Sequence, residues 1–134
     1  MTCKDLLQVR QDAFLKAYIE AALWSSSDED HENFDDFRYE DIHQASLAQA
    51  IEDCESFKAQ AGDLILNEDN YVRGRECSLA EQAGHDFWLT RNHHGVGFWE
   101  DGDWADNARD PLTKLAHSFR EVNLLEEDGV LYIE

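Results

Sequence analysis

The sequence predicts an α+β fold in a single domain, residues 1–134, in which a small antiparallel sheet packs against helices. Two early stretches carry apolar residues at three- and four-residue spacing, which is typical of helices. Two later stretches place β-forming residues on both sides of turn-forming ones, which is typical of hairpins. The predicted order is αα-ββ-α-ββ, and 134 residues is a usual length for one domain.

The two early helices differ in how clearly they begin. The first covers about residues 4–24 and ends at a run of three serines. The second begins near Ser46, because Ser46 followed by Gln49 fits a capping box, in which two side chains bind free backbone N–H groups. Its apolar face consists of Leu47, Ala48, Ile51, Cys54, Phe57, Ala61 and Leu64.

The middle of the chain predicts a short helix over 78–82 that stops at Gly84, followed by a hairpin. Residues 86–91 and 96–100 are rich in aromatic and β-branched side chains, and Gly95 lies in the loop between them. Glycine adopts the positive φ that hairpin loops often require. This pattern predicts the first pair of strands.

The last third predicts one more helix and a closing hairpin. Asp110 and Pro111 suit the first positions of a helix. Residues 124–125 and 130–133 flank an Asp-Gly turn, which favours a hairpin. The residues expected to share one core are Leu47, Ile51, Phe57, Phe87, Leu89, Leu115 and Phe119.

The charge is the strongest functional signal. The net charge is −19, yet 43% of the residues are hydrophobic and four Trp, seven Phe and four Tyr are present. Such a chain can bury a core and carry its charge on the surface. That surface repels nucleic acid and anionic lipid and attracts basic surfaces, so we expect a basic, nucleic-acid-binding protein as partner.

Carboxylates concentrate in two segments, each interrupted by aromatic residues that we expect to hold the segment against the body. Phe34 and Phe37 interrupt the first, and Trp104 interrupts the second. The candidate partner-binding residues are Asp28, Glu29, Asp30, Glu32, Asp35, Asp36, Glu100, Asp101, Asp103 and Asp106.

Residues 83–99, AGHDFWLTRNHHGVGFW, resemble a stretch like AGHDFWLTRNGHGAGFW in a family of small, uncharacterised acidic proteins of tailed phages and related mobile elements. Residues 19–26 and the closing hairpin resemble the same family. One departure is His93, which stands where the pattern usually has Gly. The resemblance implies a phage or mobile-element origin and action inside a bacterial cell; it implies no activity.

Residues that could carry chemistry form no complete motif. His85, His93, His94 and Asp86 include good zinc ligands, but the two adjacent histidines would point to opposite faces of a strand. The segment from Asp28 lacks the Gly and Glu that a calcium loop needs at its sixth and twelfth positions. We therefore expect no metal, no cofactor and no catalytic residue.

The aromatic residues of the predicted hairpin could in principle stack bases, as in single-strand binders. Such platforms lie in basic grooves, because phosphates must be neutralised. Only Arg91 and Arg109 are nearby, against five acids. We expect these aromatic side chains in the core and no direct binding of nucleic acid.

The compartment expected is the bacterial cytoplasm. Three widely spaced cysteines do not form a disulfide framework. The first residues lack the order of a secretory signal, and the apolar runs are too short to span a bilayer.

Two interpretations stay open. In the first, the chain is a non-enzymatic phage-type protein that binds a basic host or phage protein through its carboxylates; one form of such binding is a DNA mimic that inhibits a host defence or DNA-processing system. In the second, it is an accessory or structural phage-type protein, which could form homo-oligomers, and its acidity serves only solubility. Mimicry requires carboxylates gathered on one face, whereas solubility requires only scattered ones.

Overall fold

The computed structural model describes residues 8–72, 77–100 and 103–134. Within these ranges a two-stranded antiparallel sheet packs against α-helices, which confirms the α+β class. The predicted order is wrong at one place, because the first pair of strands is absent from the described residues. The elements are α1 (Ala13–Ser25), α2 (Gln44–Ala61), α3 (Leu79–Arg91), α4 (Asp106–Ser118), β1 (Leu124–Glu127) and β2 (Val130–Ile133).

The predicted first helix is interrupted at Asp12, where the backbone is extended. Residues 8–11 before it are helical, and α1 begins after it at Ala13. The Asp12 carboxylate accepts a hydrogen bond from the N–H of Leu15 at 3.1 Å. Such an N-cap satisfies a donor that the first turn leaves free. The other carboxylate oxygen lies 2.8 Å from Lys58 Nζ, so the cap also ties α1 to α2. The first residues of the predicted helix lie outside the described ranges.

Helix α2 begins at Gln44, with His43 as its N-cap. The predicted capping box at Ser46 is wrong, since Ser46 is buried inside the helix. Its hydroxyl accepts a hydrogen bond from the N–H of Ile133 at 3.0 Å and donates to the carbonyl of Ile133 at 3.5 Å. Ser46 therefore joins α2 to β2.

The first predicted hairpin is wrong because residues 86–91 belong to α3, while 96–100 form bends and turns. A capping box of Ser78 and Glu81 opens α3, which continues through Gly84. The helix is buried on nearly all sides, including every residue from 86 to 91. A helix surrounded by other elements shows no single apolar stripe, so its short aromatic run looks like a strand in the sequence.

Helices α1 and α3 approach each other closely at Gly84. A Cβ atom at this position would overlap with the carbonyl oxygen of Phe14 in α1. Gly84 is therefore a point of close packing between the helices. It does not end α3.

The chain after α3 folds back onto the helix. Thr90 Oγ1 accepts a hydrogen bond from the N–H of Phe98 at 2.9 Å, and Phe98 is buried. A Cβ at Gly97 would overlap with Thr90 Oγ1. His93 has a φ of 58°, in the left-handed region that favours glycine, and it is the position where the pattern that residues 83–99 resemble usually has Gly. Packing thus accounts for much of the motif over 83–99.

Helix α4 begins one turn before the predicted start at Asp110–Pro111. The N–H groups of Ala108 and Arg109 both bind the carbonyl of Ala105 at 2.9 Å. The first turn therefore forms ahead of Pro111, which lies inside the helix.

The closing hairpin is confirmed. Strands β1 and β2 are antiparallel, with Leu124 opposite Ile133 and Glu127 opposite Val130. Asp128 and Gly129 both have positive φ, at 54° and 82°, as two-residue hairpin turns require.

The seven predicted core residues share one core, as expected. At its centre the rings of Phe57 and Phe87 stack, with their centroids 4.2 Å apart. Four of the seven are fully buried and three are partly buried against the same cluster: Leu47, Phe57, Phe87 and Leu89, then Ile51, Leu115 and Phe119.

Arg91 is a charged side chain at the edge of this core, and it is 3% exposed. Its Nη1 lies 2.9 Å from Asp53 Oδ2 and donates to the hydroxyl of Tyr18 at 3.0 Å. Its Nε and Nη2 donate to the carbonyl of Arg120 at 3.0 Å and 2.6 Å. Arg91 therefore links α1, α2, α3 and the segment that leads into β1.

Candidate acidic interaction surface

The first acidic segment is a loop between α1 and α2 that is held against the body. Phe34 is 0% exposed, and its N–H donates to the carbonyl of Leu23 at 2.9 Å. The ring of Phe34 stacks on His31, with centroids 5.0 Å apart, and lies 5.7 Å from the ring of Phe37. The expectation that aromatic residues hold this loop is confirmed.

Asp28 organises the start of the loop. Its Oδ1 accepts hydrogen bonds from the N–H groups of Asp30 and His31, at 2.9 Å and 2.7 Å, and lies 2.9 Å from His31 Nδ1. Partial desolvation raises the pKa of Asp28, but these hydrogen bonds together outweigh it and hold the pKa below its ordinary value. The carboxylate of Asp28 therefore stays charged and fixes the turn.

The same contact raises the pKa of His31, mainly through the hydrogen bond to Asp28. A raised pKa contributes stability that is fully present below the ordinary pKa of 6.5 and is lost as the pH rises through the folded-state pKa. We expect Asp28→Asn to lower the pKa of His31, because an amide carries no charge. An NMR titration of the imidazole measures this, and an unchanged pKa in the variant would contradict the contact.

The carboxylates of residues 28–36 face solvent without a Lys or Arg partner among the described residues. Within the described residues, no Lys or Arg lies within ion-pair distance of them; the pairs formed by Lys16, Lys58 and Arg91 involve acids elsewhere. The exposed acids of residues 28–36 are Asp28, Glu29, Asp30, Glu32, Asp35 and Asp36.

The turn of the closing hairpin extends this loop. Side-chain atoms of Asp28, His31 and Glu126 lie within 4.8 Å of one another. Glu126 Oε2 also accepts a hydrogen bond from the N–H of Gly129 at 2.8 Å, and the next two residues, 127 and 128, are exposed acids. We call the loop 28–36 together with the turn 126–128 the acidic surface. The sequence signal for the turn was the run of three acids before Gly129.

The side chains of Asp28, His31 and Glu126 offer three ligand atoms that are close enough together to coordinate a cation. However, Asp28 Oδ1 already accepts two backbone hydrogen bonds, and it pairs with His31 Nδ1. A cation would have to replace the pairing that holds the loop. These hydrogen bonds give the trio a structural role, and the expectation that no metal is needed stays a prediction.

The second acidic segment has fewer exposed, unpaired carboxylates than predicted. Asp103 is 5% exposed, so its carboxylate is not available at the surface. Glu100 is half-buried. Asp106 is exposed but lies 3.2 Å from Arg109 Nη2, and Asp101 lies outside the described residues.

Pairing with a distant segment explains this placement. The carbonyl of Asp103 accepts a hydrogen bond from the N–H of Val72 at 2.8 Å, and the N–H of Ala105 donates to the carbonyl of Asn70 at 2.7 Å. The rings of Tyr71 and Trp104 pack edge to face, 5.1 Å apart. These contacts draw residues 103–105 onto the body. We therefore leave Asp103 out of the acidic surface.

His85 and Asp86 form a structural hydrogen-bond network. His85 Nδ1 lies 3.0 Å from Asp86 Oδ1, and Asp86 Oδ2 accepts a hydrogen bond from Trp104 Nε1 at 2.8 Å. Asp86 is buried, and buried carboxylates need such partners. The pair thus positions Trp104 in the core.

The loop histidines lie at the end of α3. The ring of His93 stacks on His117 with centroids 4.4 Å apart, and partial burial together with His93 lowers the pKa of His117. The N–H of His94 donates to the carbonyl of Leu89 at 2.9 Å. In the part of the chain that the structure describes, neither histidine belongs to a group of three metal ligands.

Comparison of the chain with known protein families, curated proteins and solved structures finds no match. None of the helices in the described ranges combines the length and apolar composition needed to cross a bilayer. A function has to be inferred from the chemistry of the acidic surface.

Proposed function

We propose that the chain is a non-enzymatic binding protein whose acidic surface docks on the nucleic-acid-binding surface of a basic host or phage protein, as a DNA mimic. The observation that carries this proposal is the set of six exposed loop carboxylates that no Lys or Arg of the described residues neutralises. The three acids of turn 126–128 adjoin them.

The fixed geometry of the loop supports mimicry over solubility. A mimic must hold its charges in place before binding, because ordering a flexible segment on association costs free energy. Buried Phe34 and the hydrogen bonds of Asp28 hold this loop in the free chain. Solubility alone requires charge but no such framework.

The total charge supports the class of partner. A net charge of −19 repels nucleic acid itself and speeds encounters with basic proteins at low salt. The resemblance of residues 83–99 to phage proteins supports the bacterial cytoplasm as the place of action. A host defence or DNA-processing system is then the class of target.

A pull-down from bacterial lysate at low and raised salt tests the proposal. The test variant changes Glu29, Asp30, Glu32 and Asp36 to Lys and keeps Asp28, because Asp28 holds the loop. We expect retention of the partner to fall about tenfold or more, since four pair energies of about 0.5 kcal/mol each add up.

The matched control reverses four exposed acids elsewhere, at Glu52, Asp63, Asp69 and Glu134. It changes the net charge by the same amount, so it should weaken capture much less if the loop makes the contact. Raised salt should weaken wild-type capture, because the Debye length is only about 8 Å at physiological ionic strength. If both variants lose capture of the partner equally, binding depends on the net charge alone and the loop is not the contact.

A further inference from the structure

Strand β1 has backbone groups that face away from its partner strand. Asn123 and Glu134 exchange both backbone hydrogen bonds, at 2.8 Å and 3.0 Å. Hydrogen-bonded and non-hydrogen-bonded pairs alternate along an antiparallel ladder. The N–H and C=O groups of Leu124 and Glu126 therefore point outward, to the side opposite β2.

These outward groups have no hydrogen-bond partner among the described residues, whereas the far edge of β2 is used. There the carbonyl of Leu131 accepts from the N–H of His43 at 2.7 Å, and Ile133 binds Ser46. Leu124 is 5% exposed and borders a cleft of about 210 Å³. Buried backbone groups are unfavourable without a partner, so Leu124 at the border of this cleft favours an incoming donor and acceptor.

The residues around this cleft indicate the charge of a peptide segment that could bind along β1. Glu121 lines the cleft together with the polar residues Ser25–Ser27, Asn123 and His94, and none of the described residues that line it is a Lys or Arg. At the other end of β1, Glu126 adjoins Asp28 of the acidic loop. Both ends of the edge therefore favour positive charge.

We propose that an extended, Lys- and Arg-rich segment of the basic partner adds to the outer edge of β1 as a third strand. The segment pairs its main chain with Leu124 and Glu126 while its side chains reach the acidic surface. Strand addition of this kind draws affinity from main-chain hydrogen bonds and specificity from side chains. The inference rests on the proposed function and specifies how the partner is held.

The test uses a ten-residue peptide of alternating Lys and Thr, and the same peptide N-methylated at its central residues. Both carry the same charge, but only the first can donate main-chain hydrogen bonds from its central residues. We expect methylation to weaken binding to the wild-type chain by about tenfold or more. Binding is measured at low salt by calorimetry.

A pair of variants tests the same contact from the protein side. Glu126→Ala and Glu126→Pro both remove the carboxylate, but only Pro removes the outward N–H, and Pro is tolerated on edge strands at such positions. We expect Glu126→Pro to bind the Lys-Thr peptide about threefold to tenfold more weakly than Glu126→Ala. If Glu126→Pro does not fold, the comparison of the two peptides on the wild-type chain decides.

Equal binding of the two peptides overturns strand addition, as does failure of the unmethylated peptide to bind. If both peptides bind equally and the Glu29, Asp30, Glu32 and Asp36 reversal abolishes binding, the acidic surface stands as the contact without a third strand. The lysate capture described above judges the proposed function independently of either peptide.

Discussion

Gly84→Ala is expected to lower the free energy of unfolding by about 3 kcal/mol, because the new methyl group would overlap with the carbonyl oxygen of Phe14. The obstacle is backbone, so a side-chain rotation cannot relieve it. Helix propensity alone predicts the opposite sign, a gain of about 1 kcal/mol for Gly→Ala inside a helix. Urea unfolding of the variant therefore distinguishes the two effects: close helix packing predicts a lower free energy of unfolding, and helix propensity predicts a higher one.

Gly95→Ala is the matched control, since a Cβ at Gly95 meets nothing within 4 Å. Its unfolding free energy should stay within about 0.5 kcal/mol of wild type. A Gly84→Ala variant as stable as this control would show that α1 and α3 do not meet as described.

Arg91→Met is expected to cost about 3–5 kcal/mol, because it leaves the carboxylate of Asp53 without its buried partner. It also removes the donors to Tyr18 and to the carbonyl of Arg120. Adding Asp53→Leu should recover part of the loss, since removing both charges is far less costly than removing one. Denaturant unfolding of the two single variants and the double variant measures the coupling.

Arg120→Met is the control, because Arg120 has an exposed side chain and takes part in the network through its carbonyl. We expect a change of about 0.5 kcal/mol or less. A loss under about 1 kcal/mol for Arg91→Met would contradict the role given to this ion pair.

Local patterns predicted the parts of the fold that depend on neighbouring residues. The Asp128-Gly129 turn marked the closing hairpin, because few residues adopt its positive φ. The helical spacing of Leu47, Phe57 and their neighbours marked α2. The start of α2 was predicted wrongly because the Ser46 side chain binds the distant residue Ile133 and does not cap the helix.

Helix α3 was mistaken for a strand because burial on nearly all sides removes the helical period from its sequence. Phe87, Trp88 and Leu89 form a short buried run, and such a run does not distinguish helix from strand. The capping box at Ser78 and Glu81 was the local signal that the element is a helix.

The sequence predicted the loop 28–36 of the acidic surface, but it did not predict that the turn 126–128 adjoins this loop. Acids alternating with Phe34 and Phe37 indicated a loop held against the body. The approach of Glu126 to Asp28 and the burial of Asp103 depend on pairings between residues about thirty to a hundred positions apart in the chain. No local pattern encodes such pairings.

The most direct test of DNA mimicry is displacement of duplex DNA from the protein captured out of bacterial lysate. Labelled duplex is bound to that protein at low salt, and the chain is added in increasing amounts while fluorescence anisotropy reports bound DNA. Mimicry predicts that the wild-type chain and the Glu52, Asp63, Asp69 and Glu134 control release the duplex, whereas the Glu29, Asp30, Glu32 and Asp36 reversal does not. A ternary complex, in which the chain binds while the duplex stays bound, would contradict it.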